Sequence, residues 1–373
     1  MVSTLNANRT LNQLDIDQPR HEYLFALPDG ISQWLTQTIL KRQDSNNLFI
    51  LYVMVNILLT VIPFAVVLYV LEPQIPTLLM APLGIAYLYL LFIKYARSFI
   101  LGLHYSTHVS IFTKKWSLLK SIGSNLLCAF FGIPPLMYYA HHIAMHHCED
   151  NQTPYDISST MPYQRDSKVE HFKYMLRFVL AIWVELPYVL IQKKRYQVAL
   201  RCLLGEFIFF AGIYALFVFS PIATVFVFII PNIFISFALM QGNWKQHIFV
   251  DPDEPDNNYK STFTCINTAS NALNFNDGYH VEHHENPAMP WYKLPEFFQG
   301  QLEHYAANDG LIFTDIGSTE VGRLVLNGQL EQLADHYLNV GQKQRTKAEL
   351  IEEFKRRLVK IEKGRIPAQQ EAT

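Results

Sequence analysis

Four imidazoles fall within seven residues of this chain, His141-His142-Ile-Ala-Met-His146-His147. On a helix, His142 and His146 stand one turn apart on the same face, with His147 beside His146. Neutral imidazole is the commonest protein ligand for zinc, copper, iron and nickel. Three more clusters have ligand spacing: His104 and His108, Asn243 and His247, and His280 with His283 and His284. Together these clusters hold nine of the 14 histidines. A single ion takes four to six ligands, so nine imidazoles point to two metals close together. His21, His171, His304 and His336 have no such partners and read as ordinary structural histidines. Cys148 follows His147 directly and is either a ligand or a small packing residue. The four cysteines form no C-x-x-C pair, which fits a reduced environment and argues against a disulfide framework.

The elements that must position these residues are long apolar runs. Half of the 373 residues are hydrophobic, and the net charge of −2 gives no reason to expect nucleic acid. Leu48–Leu71 carries no charge and is long enough to span a bilayer, with Asn56 and Pro63 inside it. After the turn at 72–76, Thr77–Ile93 returns, and its helix is expected to run on to His104 and His108. At about 1.5 Å per residue, His104 then lies roughly 16 Å past the span. Cys202–Phe219 and Pro221–Met240 make the third and fourth spans, joined at Ser220. Residues 125–140, broken by Pro134-Pro135, and Phe178–Ile191, interrupted by Glu185 and Pro187, are short and read as re-entrant or interfacial pieces.

Charge then orients the whole. No Lys or Arg occurs from Gln43 to Ile93 or from Cys202 to Trp244, so with four spans all 30 basic residues lie on one side. The same parity puts all nine histidines on that side. The expected fold is therefore an all-α, multi-pass integral membrane protein with four transmembrane helices in two hairpins. Residues 1–45 form a cytoplasmic arm whose Asp29-Gly30 turn precedes a short helix at 31–42. Residues 46–300 form the membrane domain with the histidine clusters, and 301–373 a cytoplasmic tail. The tail includes an amphipathic, solvated helix at 349–361. Asp251–Asp256 reads as an acidic, turn-rich loop.

The order H-x-x-x-H at 104–108, H-x-x-x-H-H at 142–147 and H-x-x-H-H at 280–284 resembles the membrane fatty acid desaturase and hydroxylase superfamily, over roughly residues 45–300. Asn243-x-x-x-His247 is similar to the auxiliary turn of acyl-CoA desaturases. The resemblance implies a cytosolic helical cap holding a di-iron site. His104, His108, His142, His146, His147, His247, His280, His283 and His284 would be the ligands, with Asn243 binding through water. His280 departs from front-end lipid desaturases, which often have Gln there. No His-Pro-Gly-Gly segment marks a fused cytochrome b5 domain. The stretches Gly242–His247 and Phe275–His280 look like those of bacterial desaturase-like enzymes, some of which make terminal alkenes. The expected setting is a bacterial inner membrane with the site facing the cytoplasm.

The implied chemistry is dioxygen-dependent attack by two iron ions on C–H bonds of a fatty acid or acyl chain. Desaturation is the leading outcome; oxidative decarboxylation of free acids to 1-alkenes and hydroxylation are the alternatives. Nothing resembles a haem, flavin or nucleotide motif, so a separate ferredoxin, rubredoxin or cytochrome b5 with its reductase is the expected electron donor. His141, Glu149, Asp150, Asp277, Glu282 and Glu285 are candidates, by proximity, to orient the ligating rings. Arg165, Lys193, Lys194 and Arg195 are candidates for an anionic head group. A metal transporter would need ionisable ligands inside its spans, where only Glu206 occurs. A zinc hydrolase or receptor would leave about six histidines unexplained.

Overall fold

A computed structural model describes residues 23–341 and 343–361. His21 and the outer parts of the arm and tail lie outside these residues. The chain is mostly helical and divides into two compact units, a helical one (23–144 and 183–238) and a mixed one (145–182 and 239–361). Among the described residues, five helices are long and apolar enough to cross a membrane: Ser45–Leu71, Thr77–His108, Lys168–Gln192, Tyr196–Phe219 and Pro221–Gln246.

In the helical unit, an α-helix at Asp29–Thr38 leads into Ser45–Leu71, which bends at Thr60 (φ −125°, ψ −58°). Pro63 explains the bend: its ring clashes with the carbonyl four residues back and it has no N–H to donate. Asn56 sits fully buried in this apolar run without penalty because its amide is satisfied. It accepts from the amides of Leu24 (2.9 Å) and Phe25 (3.1 Å) and donates to the carbonyls of Phe25 and Tyr52. At the far turn, the Glu72 carboxylate accepts from the amides of Ile222 (2.9 Å) and Ala223 (2.8 Å). It thereby caps the exposed donors at the start of the Pro221–Gln246 helix. Gly84 allows close packing of the hairpins, since a Cβ there would overlap the Phe226 ring. The helix from Thr77 does run on to His108, through a π-helical turn at Leu90–Tyr95. Residues 131–136 break the helical path, as Pro134-Pro135 requires. Gly132 takes φ +75° there and its carbonyl accepts from Asn232 (2.7 Å).

The reading of Phe178–Ile191 as a short broken piece is corrected by the structure. Lys168–Gln192 is one 25-residue helix that continues through Glu185 and Pro187. Pro187 removes one helical hydrogen bond. The helix persists because Phe178, Ile182, Leu186 and Val189 form a buried stripe at helical spacing.

The mostly helical chain expected from the sequence is found, with one addition in the mixed unit, a pair of short strands. Strand β1 (Phe263–Ile266) pairs in parallel with β2 (Leu311–Thr314), Phe263 opposite Leu311 and Ile266 opposite Thr314. The connection between them contains His280–Glu285, a helical turn packed in a core of Tyr279, Val281, Leu294, Phe298, Tyr305 and Ile312. The helix Lys347–Leu358 opens with a capping box of Thr346 and Glu349. It is amphipathic, as its spacing predicts, but not simply solvated: Leu350, Phe354 and Leu358 are buried. Arg356 holds both oxygens of Asp251, at 2.8 and 2.7 Å, so the acidic loop is tied down.

Candidate metal centre

Each unit gathers imidazoles of its own. In the helical unit, His104 and His108 lie one turn apart near the end of the Thr77–His108 helix, and His142 faces them from Tyr139–His146. Their ligand nitrogens lie within 4.8 Å of one another. The Nε2 atoms of His108 and His142 are 2.9 Å apart, and the rings of His104 and His142 are centred 4.3 Å apart.

In the mixed unit, His146, His247 and His284 bring their ligand nitrogens within 4.8 Å. His280 joins them, its Nε2 3.2 Å from that of His284 and 3.4 Å from that of His247. His147 and His283 form a further pair, Nε2 to Nε2 3.1 Å. The expectation that His142 and His146 act from one helical face is thus corrected. Tyr139–His146 is π-helical, and its wider winding turns each successive residue through a smaller angle than an α-helix does. His146 accordingly joins His247 and His284, while His147 pairs with His283.

The protons on these rings are fixed from behind. His146 Nδ1 stands 2.8 Å from Asp156 Oδ2, and His284 Nδ1 stands 2.7 Å from Asp150 Oδ1. His247 Nδ1 donates to the Ser261 carbonyl at 3.1 Å. An Nδ1 proton on each ring leaves the Nε2 lone pair free to point into the group. Several lone pairs converging at about 3–5 Å repel one another unless a cation sits among them, and this is the donor arrangement a metal requires.

At His247 the electrostatics agree. Burial, with His284 and His146 adding to it, pushes the pKa of His247 down to about 3, so the ring is neutral and its lone pair available. Burial also opposes a charge on His146, but Asp156 outweighs it and raises the ring above the ordinary imidazole value. Burial opposes ionisation of Asp150 too. His284 in contact, with His247 and His146 beyond it, nonetheless holds that carboxyl below the usual range.

Of the residues proposed to orient ligands, Asp150 meets a ring and others have different partners. Glu282 spends both oxygens on Tyr305 (2.7 Å) and Thr264 (2.8 Å), and burial raises its pKa to about 7. Asp277 accepts from Gln246 (2.7 Å), and Glu285 accepts from Asn258 (2.7 Å). Glu149 is buried, and His141 lies outside the imidazole groups. Asn243 uses its amide nitrogen on Ser158 O (2.8 Å) and Tyr174 Oη (2.7 Å). Arg165, expected to meet an anionic head group, is fully buried and donates to backbone carbonyls instead. His171 packs on Trp244, His304 lies over Tyr259, and His336 bonds the Thr314 carbonyl.

Asp156 is the residue that spacing missed. Its Oδ1 accepts from Ser158 Oγ (2.6 Å) and its Oδ2 from the Asn151 amide (2.9 Å), so both oxygens are held in place behind His146. A signal was present: Asp156 is the sole charge between Asn151 and Gln164. Burying a lone carboxylate demands a partner.

The sequence model of a protein family described as "Fatty acid desaturase" matches residues 76–316. No curated protein and no solved structure matches the chain.

Proposed function

The chain belongs to the fatty acid desaturase family, and from that premise we propose that it is a di-iron, dioxygen-dependent enzyme that desaturates a fatty acid or fatty acyl chain. Family membership makes it a desaturase- or hydroxylase-type oxidoreductase of lipid metabolism, and its apolar helices suit a multi-pass membrane protein. One observation carries the metal assignment: His146, His247 and His284 each face a fixed acceptor through Nδ1, with their ligand nitrogens within 4.8 Å.

The nine histidines of the four clusters are the proposed iron ligands, with Asn243 acting through water. Iron in an imidazole shell with open positions supplies the activation and reduction of dioxygen. The chain's own residues do the rest. Asp156, Asp150 and the Ser261 carbonyl keep the Nδ1 protons in place, so the rings neither flip nor change tautomer during turnover. Four of the five long helices are proposed to cross the membrane and hold the acyl chain beside the histidine side, where proximity replaces a bimolecular encounter. Electrons are proposed to come from a separate ferredoxin, rubredoxin or cytochrome b5 with its reductase.

The test is product analysis by mass spectrometry on membranes containing the chain. Free acids, acyl-CoAs and acyl-carrier protein are supplied with oxygen and a reductase system, and the purified protein is analysed for metal. The expected result is iron in the protein and an oxygen-dependent product lighter by two hydrogens. A hydroxylated product, or a terminal alkene one carbon shorter, would replace desaturation by that outcome. Zinc in place of iron, or sustained turnover with NAD(P)H alone, would overturn the scheme.

A further inference from the structure

The guanidinium of Arg165 is fully buried and makes six hydrogen bonds to backbone carbonyls. Nε donates to Ile248 O at 3.0 Å. Nη2 donates to Val250 O (3.4 Å), Arg357 O (2.9 Å) and Val359 O (2.7 Å), and Nη1 reaches the carbonyls of Thr160 (3.5 Å) and Met161 (3.4 Å). These acceptors belong to three stretches: the two-residue loop at 160–161, the peptide just after His247, and the C-terminal segment.

Backbone bonds tie the same stretches together. The Val250 amide donates to Arg357 O (3.0 Å), the Arg165 amide to Leu358 O (2.9 Å), and the Ile361 amide to Met161 O (2.9 Å). Thr160 closes the loop on the ligand itself, donating from Oγ1 to the His247 carbonyl at 2.6 Å. Thr160 is in turn held by Asn151, whose Oδ1 accepts from the Thr160 amide (2.9 Å) and whose own amide donates to Asp156. His247 and His146 are thus backed by one continuous, buried polar lattice with Arg165 at its hub.

A cation is costly to bury, and here it is compensated by carbonyl dipoles rather than by a carboxylate. Arginine suits the place because its planar fork offers five N–H donors in fixed directions, whereas lysine offers three from one point. The carbonyls also need the cation, since Ile248 and Val250 lie where the helical path ends and their oxygens have no helical partner.

We infer that Arg165 is a positioning residue for His247, and that the C-terminal segment 357–361 is the strap that completes this support. The inference rests on the reading of His146, His247 and His284 as metal ligands. In it, the chain's last described residues determine how firmly a ring over a hundred positions earlier holds its metal.

The test uses the full chain, purified in detergent, stripped and reloaded with cobalt(II), whose visible absorption reports ligand number and geometry. Three changes are compared: Arg165→Lys, Thr160→Val, and a chain ended after Ile361. Arg165→Lys is expected to weaken cobalt binding by about 10–100-fold, the usual effect of removing a ligand's support, and to alter the visible spectrum. Thr160→Val, which removes the bond to the His247 carbonyl and a longer one from Asn151 Nδ2 (3.4 Å), should shift the spectrum in the same direction while leaving the thermal midpoint near wild type. The chain ended after Ile361 keeps every strap bond named above and should match wild type. Wild-type cobalt affinity and spectrum in both Arg165→Lys and Thr160→Val would overturn the inference. If Arg165→Lys fails to reach the membrane, Thr160→Val decides alone. Failure of the unaltered protein to bind cobalt would refute the metal reading instead.

Discussion

An imidazole can ligate a metal through Nε2 only when its proton is held on Nδ1, so the acceptor behind each ring matters as much as the ring. Asp156 is that acceptor for His146, and it was absent from the candidates drawn by proximity. Asp156→Asn removes the negative charge that raises the basicity of His146 while keeping the size of the side chain. Its expected effect is a fall in iron affinity of about 10–100-fold, read by metal analysis of purified protein, with membrane insertion retained. His247→Ala should be inactive and iron-deficient yet present in membranes, because insertion depends on the apolar helices. His171→Ala and His304→Ala, whose rings pack on Trp244 and Tyr259, should keep most activity. Full iron content in His247→Ala would remove it from the ligand set. The histidine clusters were legible in the chain because their spacing is local, three or four residues within one turn. The acceptors behind them were legible only in part. Asp150 sits close in sequence to its cluster yet serves His284 from another one, and Ser261 contributes only a carbonyl, which no residue type announces.

At the scale of elements, the apolar runs and the turns between them could be read from composition, while the short and the interrupted elements could not. Strands β1 and β2 have four residues each, and β1 is buried along its whole length, so no two-residue alternation marks it. The Lys168–Gln192 helix hid behind Glu185 and Pro187, which in isolation look like breakers. The C-terminal helix shows what long-range pairing adds to an amphipathic pattern. Burial works against ionisation of Asp251, but the bonds from Arg356 and the Asp253 amide, with Arg357 nearby, hold its carboxyl at about 2 against an ordinary 3.8. A carboxyl lowered by folding contributes stability that is present above its unfolded value and lost as pH falls through the folded one. The mixed unit should therefore lose stability on acidification from pH 3.8 to about 2. Arg356→Gln, lacking the cation, should be less stable at pH 6 and show a flatter fall across that acid window. Thermal unfolding of both proteins at pH 6, at pH 3 and near pH 2 checks this. Parallel curves offset by a constant would mean that Asp251 draws its low pKa from another source.

For the whole molecule, the deciding question is how many of the five long helices cross the bilayer. Length and composition admit all five. Charge argues for four. The turns at 72–76 and 219–221 carry no Lys or Arg, and none occurs from Gln43 to Ile93 or from Cys202 to Trp244. Lys168–Gln192 differs: it carries Lys173 and Arg177 and is followed directly by Lys193, Lys194 and Arg195. Its exposed apolar side chains include Val169, Phe172, Leu176, Leu180, Val184, Tyr188 and Ile191. At about 100° per residue this exposed face is broad and also carries Lys173 and Arg177, charges that suit the interface better than the hydrocarbon core. A crossing helix would also move everything after it to the other face and leave His247, His280, His283 and His284 across the membrane from His104 and His108. Impermeant labelling of single cysteines in intact cells tests the parity. Cysteines replacing Gln74 and Ser220 should label from outside. Those replacing Asp166, Lys194 and Lys293 should label only after permeabilisation. Outside labelling at Lys194 or Lys293 would make Lys168–Gln192 a true span and would rule out a metal centre shared by all nine histidines.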